Sequence, residues 1–173
     1  RRAYLHPSMT VAEIGGSPAL KMLAQRVRQV HAIIASPSQL STARGSLAEF
    51  NNITFHHGDA FSLPLNDGSV DALFAFGEPQ LDPDPPAAIR EMARLLRPGG
   101  RLVMNFGGAQ EQTALRAWLS QAGLVNVIVT DNTETGTVTA VGAKKVEARQ
   151  GVRAAYAARA LASDCGCGGS DCC

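Results

Sequence analysis

The residues best suited to chemistry lie in four places along the 173-residue chain. Near the start, Glu13 precedes Gly15, Gly16 and Ser17. A carboxylate beside a glycine-rich turn can cap backbone N–H groups or face a ligand, and glycine lets backbone approach that ligand without a Cβ clash. Further on, Asp59 and Ala60 follow Gly58, and Asp there either shapes the turn or offers a second acceptor. Phe76 opens an acidic, proline-dense stretch that runs to Pro86 and carries Glu78 and Asp82. Either carboxylate could act as a base or orient a nucleophile; the plainer reading is a solvated connector. At the far end, Cys165, Cys167, Cys172 and Cys173 are the only cysteines. Soft thiolates select zinc, copper(I) or iron–sulfur clusters, and trivalent arsenic suits the same ligands. Their spacing is not the paired Cys-x-x-Cys of a structural zinc site. His56 and His57 read as a strand end, His6 and His31 have no partner visible in the sequence, and Trp118 reads as core.

The elements that must position these residues alternate. Thr10–Ile14 is an apolar run that ends at glycines, as a strand meeting a turn does. Ala19–Gln29 carries Leu20, Leu23, Ala24 and Val27 at helical spacing. Val30–Ala35 is a second strand, after which Ser36 caps and Pro37 opens a second helix. Ile53–His57 and Val70–Phe76 are further strands, Pro86–Leu96 a helix, and Arg101–Phe106 a fifth strand. Thr113–Gln121 is helical and stops at Gly123, and Val125–Thr130 with Thr137–Gly142 closes the pattern as a strand pair. Strands alternating with helices predict an α/β fold with a mostly parallel sheet covered on both faces. The last two strands have only a turn-rich connection and should run antiparallel. The expected organisation is a domain over residues 1–145, a helical linker over 146–162 and a Cys-rich tail over 163–173.

Composition narrows the partners. Hydrophobic residues make up 45% of the chain and charged ones 18%, with a formal net charge of +1. The 16 basic residues are scattered, which argues against nucleic acid and anionic membrane as partners. No apolar run approaches the roughly 20 residues of a spanning helix. The body holds no cysteine, so a reducing, cytoplasmic setting is expected. The opening Arg1-Arg2-Ala3-Tyr4 reads as a cut end.

Three segments carry a family resemblance. Val11-Ala12-Glu13-Ile14-Gly15-Gly16 resembles the first-strand motif of class I S-adenosylmethionine-dependent methyltransferases. Gly58-Asp59-Ala60-Phe61-Ser62-Leu63-Pro64-Leu65 followed by Asp67-Gly68-Ser69-Val70-Asp71 is similar to their segment between the third and fourth strands. Glu91-Met92-Ala93-Arg94-Leu95-Leu96-Arg97-Pro98-Gly99-Gly100 is similar to their helix and turn ahead of the fifth strand. The resemblance spans roughly residues 10 to 145 in family order and is nearest the small-molecule, domain-11-like type, which includes quinone-biosynthesis and arsenite methyltransferases. It implies a Rossmann-like sheet of seven strands with a terminal antiparallel hairpin, S-adenosylmethionine as cofactor and a small-molecule substrate. It implies that Glu13, Gly15, Gly16, Ser17, Ile34, Asp59, Ala60 and Phe76 stand at cofactor-facing positions, and that the loop bearing Glu78 and Asp82 faces the substrate. Two departures stand out. Ser17 and Ala19 replace glycines around Pro18, and Ile34 stands where the family holds the ribose with a carboxylate. The cofactor site is therefore expected to be degenerate, with affinity for S-adenosylmethionine weak or absent.

A second resemblance concerns the end of the chain. Gln150–Ala160, leading into Cys-Gly and Cys-Cys, is similar to the opening of bacterial arsenite methyltransferases, which implies a downstream methyltransferase domain as partner. Two functions follow: a methyltransferase acting on a small molecule such as arsenite, or a non-catalytic scaffold whose tail binds a soft metal or As(III) for that partner. A dinucleotide-dependent oxidoreductase fits poorly, because the glycine pattern is weak and the terminal hairpin is the wrong ending. If the tail is a ligand set, trivalent arsenic should need at least three of Cys165, Cys167, Cys172 and Cys173, since it takes three thiolates. Arsenite titration of the reduced protein beside a chain ending at Ser163 checks this, and equal binding by both would remove the tail from any mechanism.

Overall fold

The computed structural model describes residues 5–76, 84–107, 112–132 and 137–146. Seven strands form one sheet: β1 (Thr10–Ile14), β2 (Gln29–Ile34), β3 (Ile53–His57), β4 (Val70–Ala75), β5 (Leu96–Gly107), β6 (Leu124–Asn132) and β7 (Thr137–Lys144). Their order is β3-β2-β1-β4-β5-β7-β6. Pairings among β1 to β5 are parallel, whereas β7 runs antiparallel to both β5 and β6. The expected terminal hairpin is therefore present, with β7 inserted between β5 and the edge strand β6.

Four helices connect the strands: α1 (Ala19–Ala24), α2 (Pro37–Ser46), α3 (Pro85–Leu95) and α4 (Gln112–Gln121). Burial divides them between two cores on opposite faces. Leu20, Leu23 and Ala24 of α1 pack with Val11, Val30, Ala32 and Phe74. Ile89 and Met92 of α3 and Leu115 and Leu119 of α4 pack with Ala12, Ile14, Leu73, Leu102 and Met104. Every residue of β1 is buried, as a central strand with helices on both sides requires. Among the described residues, no helix is long and apolar enough to cross a membrane.

Several boundaries differ from those the sequence predicts. The first helix stops at Ala24, five residues before the expected Gln29. Val27 is buried, which sustains the apolar spacing, yet it lies in a turn. The Asn52 side-chain amide donates to the carbonyls of Ala24 and Val27 at 2.8 and 3.0 Å, and Arg28 N–H already donates to Met9 O. β5 begins at Leu96 rather than Arg101, because Leu96 pairs with Val70 ahead of an irregularity at the Pro98-Gly99-Gly100 turn. A Cβ on Gly100 would lie 2.9 Å from Arg97 O and 3.1 Å from Asp71 O, so only glycine fits there. β2 closes at Ile34, β4 at Ala75, and α3 and α4 each start one residue early. The Ser36 cap forms as expected, its side chain accepting from Gln39 N–H. Val146 is described as irregular, and the rest of the proposed linker and the Cys tail lie outside the described residues.

One polar cluster fixes the segment between β3 and β4. Arg94 on α3 donates through Nε and Nη2 to both oxygens of Glu91, each at 2.8 Å. It also donates to the carbonyls of Leu63 and Leu65 and pairs with Asp67. Glu91 Oε1 in turn accepts from Leu63 N–H at 2.9 Å. The Arg94 hydrogen bonds hold the Glu91 carboxyl below the ordinary glutamate range and raise the guanidinium. Because Glu91 is depressed on folding, its contribution is present above the unfolded pKa and is lost as pH falls through the folded one. Arg94→Leu should therefore cost about 1–3 kcal/mol at neutral pH and reduce the acid-induced part of the stability loss. Urea unfolding at pH 7 and pH 4 measures both.

Candidate cofactor site

The carboxyl ends of β2, β1 and β4 stand side by side, with Ile14 opposite Ile33 and Ala75. β3 extends the row, with His57 opposite Ile34. The chain leaves β1 here, at the point where α1 departs to one face and α3 serves the other. In open α/β sheets this topological switch is where ligands bind.

Glu13 is 0% exposed, and both its carboxylate oxygens are taken. Oε2 accepts from Gly16 N–H at 3.0 Å and Oε1 from Ser17 N–H at 2.9 Å. Burial pushes the Glu13 carboxyl up, and the hydrogen bonds to Ser17 and Gly16 oppose that shift without cancelling it. The strand-end carboxylate thus caps the turn. Ser17 is part of the same construction, because its Oγ accepts from Ala19 N–H at 3.3 Å and its carbonyl from Leu20 N–H.

The turn needs its two glycines for different reasons. Gly15 has φ +112°, and a Cβ on it would stand 2.5 Å from Phe76 O at the end of β4. Gly16 has φ +71°, and a Cβ there would meet Ile34 Cδ1 at 2.9 Å. Ile34 is 1% exposed and lies against the turn. Its side chain carries no polar atom.

Asp59 is exposed. Its Oδ1 accepts from Phe61 N–H at 2.9 Å and Ser62 N–H at 3.0 Å, which is the turn-forming role expected of Asp after Gly58. Its Oδ2 makes no hydrogen bond among the described residues. Ala60 beside it is buried in the core. Phe76 is half-buried and tilted against Phe74, with ring centroids 5.7 Å apart. A cavity of about 570 Å³ runs from Gly15, Gly16 and Ser17 along the groove between α1 and α2, where Ser38, Gln39 and Thr42 line it. It does not include Ile34, Asp59 or Phe76, so it is a side groove and not the crevice above the strand ends.

The structure thus brings Glu13, Gly15, Gly16, Ser17, Ile34 and Phe76 into one constellation, with Asp59 and Ala60 at its flank. Glu78, Asp82 and the four cysteines lie outside the described residues. Two features had no role in the sequence analysis. Arg94 and Glu91 anchor the loop that carries Asp59, a role signalled only by the motif containing them. Asp71 accepts from Thr10 N–H at 2.7 Å and pairs with Arg97, tying β4 to β1 and to the start of β5.

Comparison with known proteins agrees with this geometry. The model of a family described as a methyltransferase domain matches residues 13–104. The 27-O-demethylrifamycin SV methyltransferase of Amycolatopsis mediterranei is 36% identical over 93 residues, covering 52% of this chain and 34% of that protein. The demethylmenaquinone methyltransferase of Staphylococcus epidermidis is 38% identical over 76 residues, covering 43% of this chain and 31% of that one. These matches span about a third of the curated relatives' own length. Among solved structures, a SAM dependent methyltransferase from Aquifex aeolicus superposes with a TM-score of 0.68 at 20% identity, covering 83% of this chain and 85% of its own. The YcgJ protein of Bacillus subtilis superposes with a TM-score of 0.72 at 16% identity, over 84% of this chain and 95% of its own.

The two glycines give the turn a direct test. Gly15→Ala meets both a disfavoured φ and backbone at 2.5 Å, so it should destabilise by about 2 kcal/mol or more. Gly123→Ala has φ +79° with nothing within 4 Å and should cost only the conformational part, about 1 kcal/mol. Equal losses in chemical denaturation would show that the close approach to Phe76 is not what constrains the turn.

Proposed function

The chain belongs to the methyltransferase-domain family, and from that membership we propose that it is an S-adenosylmethionine-dependent methyltransferase of a small molecule, with a weakened cofactor site. The observation that carries this is the Glu13-held glycine turn at the carboxyl edge of the central strand. Gly15 is exposed there, so its backbone is accessible to the amino-acid end of the cofactor. Asp59 keeps one oxygen for its own turn and has the other available to accept from the adenine amino group. Ile34 supplies no acceptor for the ribose hydroxyls, and leaving them unpaired costs about 1–3 kcal/mol.

When bound, the cofactor supplies an electrophilic methyl group on a sulfonium. The contribution of this chain is to hold that group in line with an acceptor and to keep water away, so positioning dominates. Glu78 and Asp82 are our candidates for orienting the acceptor. The relatives named for rifamycin and menaquinone precursors support a small molecule in that role. The four tail thiols make trivalent arsenic a candidate substrate, and a downstream catalytic domain would be its natural recipient.

Calorimetric titration of the full chain with S-adenosylmethionine tests the proposal. Binding should be detectable but weak. Asp59→Asn keeps the turn acceptor while removing the charge, and should weaken binding about tenfold. Ile34→Asp should tighten it about tenfold or more, provided circular dichroism shows the fold intact. Submicromolar binding by the unmodified chain would refute the weakened site. No binding by either the parent or Ile34→Asp, with both folded, would instead favour the scaffold reading, in which the tail alone handles a soft metal or As(III).

A further inference from the structure

The helices leave one part of the sheet open. α3 and α4 pack against β4, β5 and β6; on their side Ile33 of β2 is buried in the same core, while Gln29, His31, Thr54 and His56 form a polar strip across β2 and β3. There Gln29 Nε2 donates to Thr54 Oγ1 at 2.9 Å. One step further along the strands, His31 and His56 meet. His31 Nδ1 lies 3.1 Å from His56 Nε2, and the ring centroids are 5.3 Å apart at an interplanar angle of 44°. Alternation along β2 puts His31 on the same face as Ile33, and Ile33 pairs with His56.

We propose that His31 and His56 form a two-imidazole site for a divalent transition ion of the zinc or nickel class, with water completing its coordination. Imidazole nitrogen is a preferred ligand of these ions. In a tetrahedral site with metal–nitrogen bonds of about 2.0–2.1 Å, two ligand nitrogens stand about 3.3 Å apart and their ring centroids about 5.2 Å. The observed separations are within a few tenths of an ångström of both. A modest rotation of each ring about its Cβ–Cγ bond turns the nitrogen–nitrogen contact into a chelate. Both residues are half-buried, so neither is sealed from solvent.

Among the described residues no group of three or more His, Cys, Asp and Glu gathers around a point. The described residues therefore contribute two ligands, and a site built on these two should be moderate in affinity and exchangeable. A bound ion would cross-link β2 to the edge strand β3, which leads into Gly58 and Asp59. It fastens an outer strand that hydrogen bonds hold to one neighbour only.

The test uses the full chain with its four cysteines alkylated, so that tail thiols cannot compete. Zn²⁺ is titrated by calorimetry and by ¹⁵N NMR of the imidazoles, in the parent and in His31→Gln, His56→Gln and His57→Gln. His57 shares β3 but places Nε2 against Ala35 O at 2.9 Å, and it serves as the control. Binding should weaken at least about tenfold in His31→Gln and His56→Gln and stay unchanged in His57→Gln. In the parent, His31 Nδ1 and His56 Nε2 should shift together with one equivalent of Zn²⁺. Binding that is absent in the parent, indifferent to both variants or equally lost in the control overturns the proposal. The NMR result on the parent decides it even where a variant fails to fold.

Discussion

The carboxyl edge of the sheet is organised around one buried carboxylate. Glu13 sits at the end of a strand with no exposed residue, where an unpaired charge would cost several kcal/mol. Its cost is offset by two backbone donors from the turn that follows, Gly16 and Ser17. Those donors converge on the carboxylate only if the chain curls back through left-handed conformations at Gly15 and Gly16. The curl in turn brings Gly15 against Phe76 O and Gly16 against Ile34. The ends of β1, β2 and β4 are thereby fixed relative to one another through a single side chain. That rigidity is what a site working by positioning requires.

The flank of the site is held differently. Asp59 belongs to a long connection without a helix of its own, and local hydrogen bonds alone would leave that connection loosely specified. Arg94 and Glu91 reach from α3 and satisfy the backbone at Leu63 and Leu65. The helix that carries them packs its other side into the core through Ile89 and Met92. Loop geometry near the crevice therefore inherits the stability of a core helix. On the same face the core reaches β2 only through Ile33, so Gln29, His31, Thr54 and His56 are left as a polar strip.

Much of this was legible in the sequence, and the parts that were not share a cause. β1 and β3 have the boundaries expected from their apolar or alternating runs and from the glycines and histidines that end them. The Ser36 cap and the terminal hairpin were legible because each depends on residues close together in the chain. The end of α1 was not, because Asn52 terminates it from 25 residues beyond Val27. His31 found its partner only through the register of β2 against β3. The Arg94 cluster likewise joins residues about thirty positions apart, whose charges alone suggest an exposed helix pair. Sequence pattern reports faces and ends, while side-chain bonds across elements depend on register that the pattern does not encode.

Ile34 shows how packing and recognition compete for one position. The end of β2 lies beside the glycine turn, so whatever stands there either fills space under Gly16 or offers polar atoms to a ligand above it. An isoleucine fills the space, and its 1% exposure shows how completely it does so. A carboxylate at the same place would need donors of its own, yet Glu13 has already taken the N–H groups of Gly16 and Ser17. Without a ligand it would be a second acid beside a turn whose nearest donors are occupied. A ribose supplies two hydroxyl donors, which is why such a carboxylate is tolerable in a protein that keeps its cofactor bound. On the reading proposed above, isoleucine removes that dependence, because it fills the space beside Gly16 without needing a ligand's donors. Isoleucine at this position therefore serves packing, and the donors of Gly16 and Ser17 stay with Glu13.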